Sequence, residues 1–508
     1  MGNCVGPKNK ENGKKGHKGS LSFKKEVSGI IKHSSKVYLD IQEFYNIKGV
    51  MGRGHFGAVK QAESKDPHDT NGYAIKSILK SKIECRIDLL ERELELLMTV
   101  DHPNIIKFYE VYEDPQYIHL VLELCTGGEL FDQLLSKGRY TEAEAAKIMH
   151  SLLHAVAHLH SLDIAHRDLK PENIMLSTSD ENSDIKIIDF GLAKKFLETG
   201  TGDPKNTIIG SSYYVAPEVL QHSYGLSCDI WSCGVILYML LSGKPPFDGN
   251  SEIDVFKSIL NTKYSVEGPE WVRISDEGKE FVSLLLNPDS KVRISAQDAL
   301  DHAWLSKRSE KETPKIERKV MKRLKKHIHS NKIVKETMNV LIRTLKQDEI
   351  RELNLVFRQL DKDHTGFISI AELQQGLIEA GISLEGEELQ ELINSAYQST
   401  DKLNYSEFLA MTIDRKHLEN TDGLWLAFKY FDIENHGYIT KDNFNNALKR
   451  AGWELTKNEV NDMLAEYGLE DLDKLYFEQF CKMFQGNSYL DPKKFVKITR
   501  MYTNQLRS

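Results

Sequence analysis

The spacing of apolar positions changes several times along the chain, and each change marks a unit. From about Phe44 short runs alternate in the manner of strands, among them Tyr117–Leu124 with the sequence YIHLVLEL. Longer helical patterns follow, and this first block closes near Trp304. Ile316, Val320, Leu324 and Ile328 then recur every four residues, and a second stripe runs through Val334, Met338, Leu341 and Leu345. Between Asp348 and Lys482 an apolar helix, a polar loop and an apolar helix repeat with a period near 35 residues. The longest apolar run, Val235 to Leu241, is far short of the ~20 residues of a membrane span.

Composition adds little until its distribution is considered. The 508 residues argue for about three folded units, and 40% hydrophobic with 28% charged residues excludes a collagen-like or wholly disordered chain. Six cysteines, at 4, 85, 125, 228, 233 and 481, form no zinc spacing or disulfide framework. With no apolar leader before Lys36, this predicts a reducing, intracellular setting. The net charge of −8 conceals three zones. Met1–Lys36 holds nine lysines against Glu11 and Glu26, a basic arm that cannot bury a core. Lys315–Lys326 has seven basic residues against Glu317, whereas Asp348–Lys482 has 27 acidic and 13 basic residues. A basic amphipathic segment therefore separates the first block from an acidic repeat.

In the first block, Met51-Gly52-Arg53-Gly54-His55-Phe56-Gly57-Ala58-Val59 fits a glycine-rich hairpin over phosphates, with Val59 packing on a base. A dinucleotide fingerprint would open a helix after the last glycine, but a strand follows and ends at Lys76, whose expected partner is Glu93 in the helical run Leu89–Met98. Downstream lie His166-Arg167-Asp168-Leu169-Lys170-Pro171-Glu172-Asn173, then Asp189-Phe190-Gly191 and Ala216-Pro217-Glu218. Asp168 suits the orientation of an attacking hydroxyl, Lys170 the charge of a transferring phosphoryl group, and Asn173 with Asp189 a magnesium ion.

In this order the motifs of residues 44–304 resemble a eukaryotic protein kinase. The resemblance implies ATP as substrate and a cleft that includes Ala74, with Leu122 at the gatekeeper position and Glu123 and Cys125 on the hinge. Asp229, Trp231 and Arg293 match anchors of the large lobe, with Arg293 paired to Glu218. Lys170 after HRDL implies Ser/Thr specificity, and Glu129 matches a carboxylate that meets the ribose and a basic substrate residue.

Asp361-Lys-Asp363-His-Thr365-Gly366-Phe367-Ile-Ser369-Ile-Ala-Glu372 fits a twelve-residue calcium loop completely, with the Phe367 carbonyl as the seventh-position ligand. Three degenerate copies follow. Ala396, Gln398 and Asp401 spoil the second, although Glu407 closes it. The third keeps Asp432, Glu434, His436 and Tyr438 at ligand positions but has Asn443 in place of the closing Glu, and Gly468–Gln479 has lost nearly every ligand. One tight site, one weak or absent site and four EF-hand folds in two pairs are expected.

Kinase, basic helix and EF-hands in that order resemble the calcium-dependent protein kinases. The expected architecture is multidomain α+β. A flexible basic arm at 1–40 precedes a bilobal kinase at 44–304 and an autoinhibitory junction helix at 305–345. EF-hand pairs at 346–414 and 415–486 and a tail at 487–508 complete it. The resemblance implies that the junction occludes the substrate cleft at rest and is withdrawn by calcium-loaded EF-hands. A membrane-surface role is the rival reading of that helix. A calcium-sensing pseudokinase scaffold and a kinase indifferent to calcium are rival readings of the whole. Lys76, Glu93, Asp168, Asn173 and Asp189 are all present, which argues against the scaffold.

Met1-Gly2-Asn3-Cys4 matches the start of a myristoylated chain, with Cys4 a palmitoylation candidate, although the usual hydroxyl at position six is Gly6. One acyl chain binds membranes weakly, and Lys8, Lys10, Lys14, Lys15 and Lys18 supply the second attachment. A cytoplasmic monomer at the inner face of the plasma membrane or another membrane is expected. Nucleic acid is the rival reading of those lysines, but no aromatic interleaving supports it. Thr207 could take a phosphate against Arg167, yet the resemblance implies switching by calcium.

Overall fold

The computed structural model describes residues 40–485 except 54–56, 84–86, 181–182, 192, 196–212, 224, 310–317, 328–331, 343–344, 346, 383–401, 419–420, 433, 435, 451–454 and 470–472. Gly2, Cys4, Gly54, Thr207, Ala396, Gln398 and Asp401 lie outside the described residues.

The small lobe is an antiparallel sheet in the order β1-β2-β3-β5-β4. Its strands are β1 Tyr45–Arg53, β2 Gly57–Ser64, β3 Gly72–Leu79, β4 Phe108–Glu113 and β5 Tyr117–Glu123, the last being the predicted YIHLVLEL strand. Between β3 and β4, helix α1 (Ile87–Thr99) buries Leu90, Leu94 and Leu97 and places Glu93 on the same side. The register sets Val59 opposite Lys76 and Ala74 opposite Leu122, so the nucleotide candidates share one patch of sheet.

In the large lobe, α2 (Glu142–Ser161) starts at a Thr141–Glu144 capping box that satisfies two orphan N–H groups, and it buries nearly every side chain from Ser151 to Leu159. Two short strands, β6 (Ile174–Leu176) and β7 (Ile185–Ile187), pair behind the HRDL segment. Helix α3 (Ser227–Ser242) is buried on all sides, which explains the apolar run at Val235.

The two apolar stripes of the junction belong to separate helices, α4 (Arg318–His327) and α5 (Lys332–Leu341). Neither extends the kinase core. Val320, Met321, Leu324, Ile333, Met338 and Leu341 are buried in a second core with Phe357, Phe408, Phe428 and Phe431 from the EF-hand helices. Six such side chains at roughly 1.5–3 kcal/mol each outweigh the partly exposed Arg323–Asp414 pair, a class worth about 1 kcal/mol at most. Apolar burial among the EF-hand helices holds the junction there.

The described EF-hand elements are α6 (Gln347–Leu360), β8 (Ile368–Ser369), α7 (Ile370–Glu379), β9 (Lys402–Leu403), α8 (Tyr405–Thr412), α9 (Thr421–Phe431), α10 (Lys441–Arg450), α11 (Lys457–Ala465) and α12 (Phe477–Gln485). β8 pairs with β9, and Ile439 pairs with Leu475, so the loops couple two by two as the repeat predicts. This block lies against both kinase lobes. Lys429 meets Asp66 at 2.9 Å on the small lobe, and Arg358 meets Asn104 and Asp184 at 2.8 and 3.5 Å.

Candidate functional site

Two chemical centres emerge, one in the kinase cleft and one in the first EF-hand loop. In the cleft the Lys76 ammonium contacts Glu93 Oε1 at 2.5 Å and Asp189 Oδ1 at 3.4 Å. Burial disfavours its charge, but Glu93 and Asp189 outweigh that and hold Lys76 above the usual lysine range. Burial likewise opposes the Asp189 carboxylate, while Lys76 and the Gly191 N–H, 3.1 Å away, bring it below the usual range. Asp189 is therefore an anion aimed into the cleft, its side chain about half exposed at 47%.

Asp168 gathers the second group. Its Oδ2 accepts from Lys170 at 2.9 Å and from Asn173 at 3.0 Å, and Asn173 also donates to the Asp168 carbonyl at 2.8 Å. The backbone beneath is fixed from below. Asp229, wholly buried, accepts the N–H groups of His166 and Arg167, both at 2.8 Å, and the His160 ring at 3.0 Å. Arg167 sits at φ 66°, a strained left-handed conformation that these bonds sustain. Arg293 makes a bidentate pair with Glu218 at 2.6 and 2.8 Å, as the resemblance implies.

The remaining described nucleotide candidates sit around this cleft, and Gly57 has a structural reason that its sequence context does not show. A Cβ on Gly57 would lie 1.8 Å from the Ser77 carbonyl, so close packing on β3 demands glycine there. Met51 and Gly52 lie on β1, with Gly52 opposite Val59. On the hinge, the Glu123 side chain pairs with Lys186 at 2.8 Å and accepts from the Lys107 N–H, while its own N–H donates to the Lys107 carbonyl at 2.9 Å, so neither the carboxylate nor the N–H is left for a base. Burial and the neighbouring Glu123 push the Cys125 thiol up to about 12. Glu129 stands at the N-terminus of Leu130–Lys137 without a capping bond, and burial, Asp132 and Glu172 raise its pKa.

In the first loop, oxygens of Asp361, Asp363 and Glu372 lie within 4.8 Å of one another, the one such metal-ligand grouping among the described residues. Burial, opposed by the Gly366 N–H and reinforced by Glu372 and Asp363, pushes Asp361 up to about 8. Crowded carboxylates under this strain fit a divalent cation. Glu372 bridges the loop: Oε1 accepts from Lys362 and Asp363 at 2.7 and 3.0 Å, and Oε2 accepts from Ser369 at 2.8 Å. Ser369 Oγ and Phe367 are part of the loop, Ser369 serving as N-cap of α7 and the Phe367 carbonyl lying 3.5 Å from Thr365 Oγ.

The third loop keeps Asp432 buried, but Glu434 turns to His436 at 3.1 Å on the surface, and Tyr438 stacks on His436 beneath Lys474. Asp432, Glu434 and His436 form no such metal-ligand grouping at this loop, where a weak or absent site is expected. Among the described residues, Asn443 Oδ1 accepts from Thr440, as a helix cap.

The protein kinase domain family matches residues 45–305, and the EF-hand domain pair matches residues 350–413. The chain is 37% identical over 457 residues to calcium-dependent protein kinase 21 of Arabidopsis thaliana, covering 89% of this chain and 85% of the relative. It is also 37% identical over 455 residues to calcium-dependent protein kinase 2 of Zea mays, covering 89% and 88%. Calcium-dependent protein kinase 19 of Oryza sativa subsp. japonica is 36% identical over 467 residues, covering 90% and 86%.

Proposed function

The chain belongs to the calcium-dependent protein kinases, and from that premise we propose how its residues divide the work. It transfers the γ-phosphate of ATP to Ser or Thr of protein substrates and is held inactive by the junction until calcium-loaded EF-hands displace it. The observation that carries the reading is the joining of two sets in one chain. Lys76, Glu93 and Asp189 meet beside Asp168, Lys170 and Asn173, and the junction helices pack among EF-hand helices whose first loop gathers three carboxylates.

Magnesium-bound ATP supplies the transferable phosphoryl group and its charge compensation. Asn173 and Asp189 hold the metal. Glu93 fixes Lys76 on the phosphates, Asp168 orients the substrate hydroxyl, and Lys170 balances charge near it. Met51, Gly52, Gly54, Gly57, Val59 and Ala74 enclose the nucleotide, with the backbone of Glu123 and Cys125 holding the base. Lys76→Met and Asp168→Asn should each lower phosphotransfer by roughly 10³-fold or more with unchanged circular dichroism; near-normal turnover in either variant refutes the assignment.

Glu129, unpaired with any capping N–H and beside Asp132 and Glu172, supports a preference for Arg or Lys three residues before the phosphorylated Ser or Thr. Loss of that preference in Glu129→Ala on a peptide array checks it. Acylation at Gly2 and Cys4 with the adjoining lysines places a monomeric cytoplasmic enzyme on membranes, the plasma membrane among them. Gly2→Ala should move it to the soluble fraction. Calcium replaces activation-segment phosphorylation, so Thr207→Ala should retain most stimulated activity.

A further inference from the structure

The first calcium loop is gripped from outside by the kinase. Five consecutive residues, Asp363 to Phe367, each meet the large lobe. The Asp363 carbonyl accepts from Gln297 Nε2 at 3.4 Å, and the His364 ring lies edge-on to His154 at 4.6 Å between centroids, with its Nε2 3.8 Å from Asp301. The Thr365 carbonyl accepts from both His158 Nδ1 at 2.9 Å and Ser161 Oγ at 3.0 Å. A Cβ on Gly366 would lie 2.2 Å from His158 Nδ1, and the Phe367 ring packs on the His158 ring at 5.1 Å. His154 and His158 are 1% exposed, so the centre of this contact is closed to water, while Ser161 and Gln297 at its rim are exposed.

Resting on the reading of this loop as the calcium site, we propose that α2 is a receptor for the loop and that docking sets its calcium affinity. Thr365 is the loop's fifth position, and its outward carbonyl is held while the carboxylates of Asp361 and Asp363 turn inward to Gly366 and Thr365 N–H groups. Holding loop positions three to seven from outside fixes backbone that a cation must otherwise order, so the ordering cost is met before the ion arrives. Linkage makes the effect reciprocal: calcium in the loop strengthens docking on α2 by the same factor. The kinase lobe is thereby part of its own sensor, through residues that touch neither nucleotide nor ion.

The experiment is calcium calorimetry on the full chain, beside kinase assays titrated with free calcium. Ser161→Ala combined with Gln297→Ala, both exposed positions, should raise the calcium dissociation constant of the first site about fivefold, from the loss of two hydrogen bonds. The half-maximal calcium for activity should rise by the same factor, with the rate at saturating calcium unchanged within about twofold. His158→Ala should act in the same direction, and His158→Asn, which restores an N–H donor near the Nδ1 position, should recover most of the affinity. An unaltered dissociation constant in the double variant overturns the proposal, whatever happens to the rate. Calcium-independent wild-type activity would instead refute the functional reading, while the calorimetric shift still decides this one.

Discussion

Loops Asp361–Glu372 and Asp432–Asn443 share a scaffold and differ in closure. In both, the opening aspartate accepts the N–H groups of the fifth and sixth positions: Thr365 and Gly366 at 3.0 and 2.9 Å, His436 and Gly437 at 3.0 and 2.8 Å. Both sixth-position glycines have positive φ, 76° and 83°. The twelfth residues part company. Glu372 reaches from the loop entrance to the start of α7, whereas Asn443, one methylene and one charge shorter, is seen among the described residues capping its own helix. Loop shape is thus encoded by the first and sixth positions, and the capacity to pull on the exiting helix by the twelfth. A sequence can lose the second and keep the first.

The comparison breaks hardest at Glu372→Gln. Losing one charge and the bridge between loop ends should abolish calcium-stimulated activity, about a hundredfold or more, while chelator-treated activity stays at its floor. A variant still responding to micromolar calcium would place the switch elsewhere. Gly366→Ala comes next, because it strains a positive φ and drives a methyl into His158. Its calcium affinity should drop about tenfold or more by calorimetry, and more than in Gly437→Ala. Asn443→Glu sharpens the contrast from the other side: glutamate can retain the cap, as Glu372 does, and add two oxygens. Bound calcium should rise by about one ion per chain, with a modest gain in sensitivity. Asn443→Gln should do least and leave activation within about twofold of wild type.

Much of this was legible beforehand because catalytic and calcium chemistry depend on short local patterns. Lys76, Asp168, Asn173, Asp189 and the Asp361 loop announce themselves by residue type and spacing, and the strand at Tyr117 by its alternation. The weakness of the third loop is legible from Asn443, but ligand spacing does not say whether a neighbouring imidazole draws the Glu434 carboxylate to the surface. Gly57 was credited to phosphate approach alone, since strand register is needed to see Ser77 behind it. The grip of α2 on the loop joins residues about 200 positions apart, as in the 207-residue separation of His158 and Thr365. Its one local sign was the four-residue spacing of His150, His154 and His158, unusual on a helix face turned inward.

The two largest hydrophobic cores, one inside the kinase and one shared by the junction and EF-hands, are separate, and a smaller third core lies in the outer small-lobe sheet. Heat should therefore melt this chain as two cooperative units, and a single melting temperature is not a property it possesses. Because calcium binds only the second unit directly, adding it displaces that unit's endotherm upward by mass action. The kinase endotherm follows only through the face the two units share. The gap between the endotherms in differential scanning calorimetry, with and without calcium, reads the strength of that face without any assay of phosphotransfer.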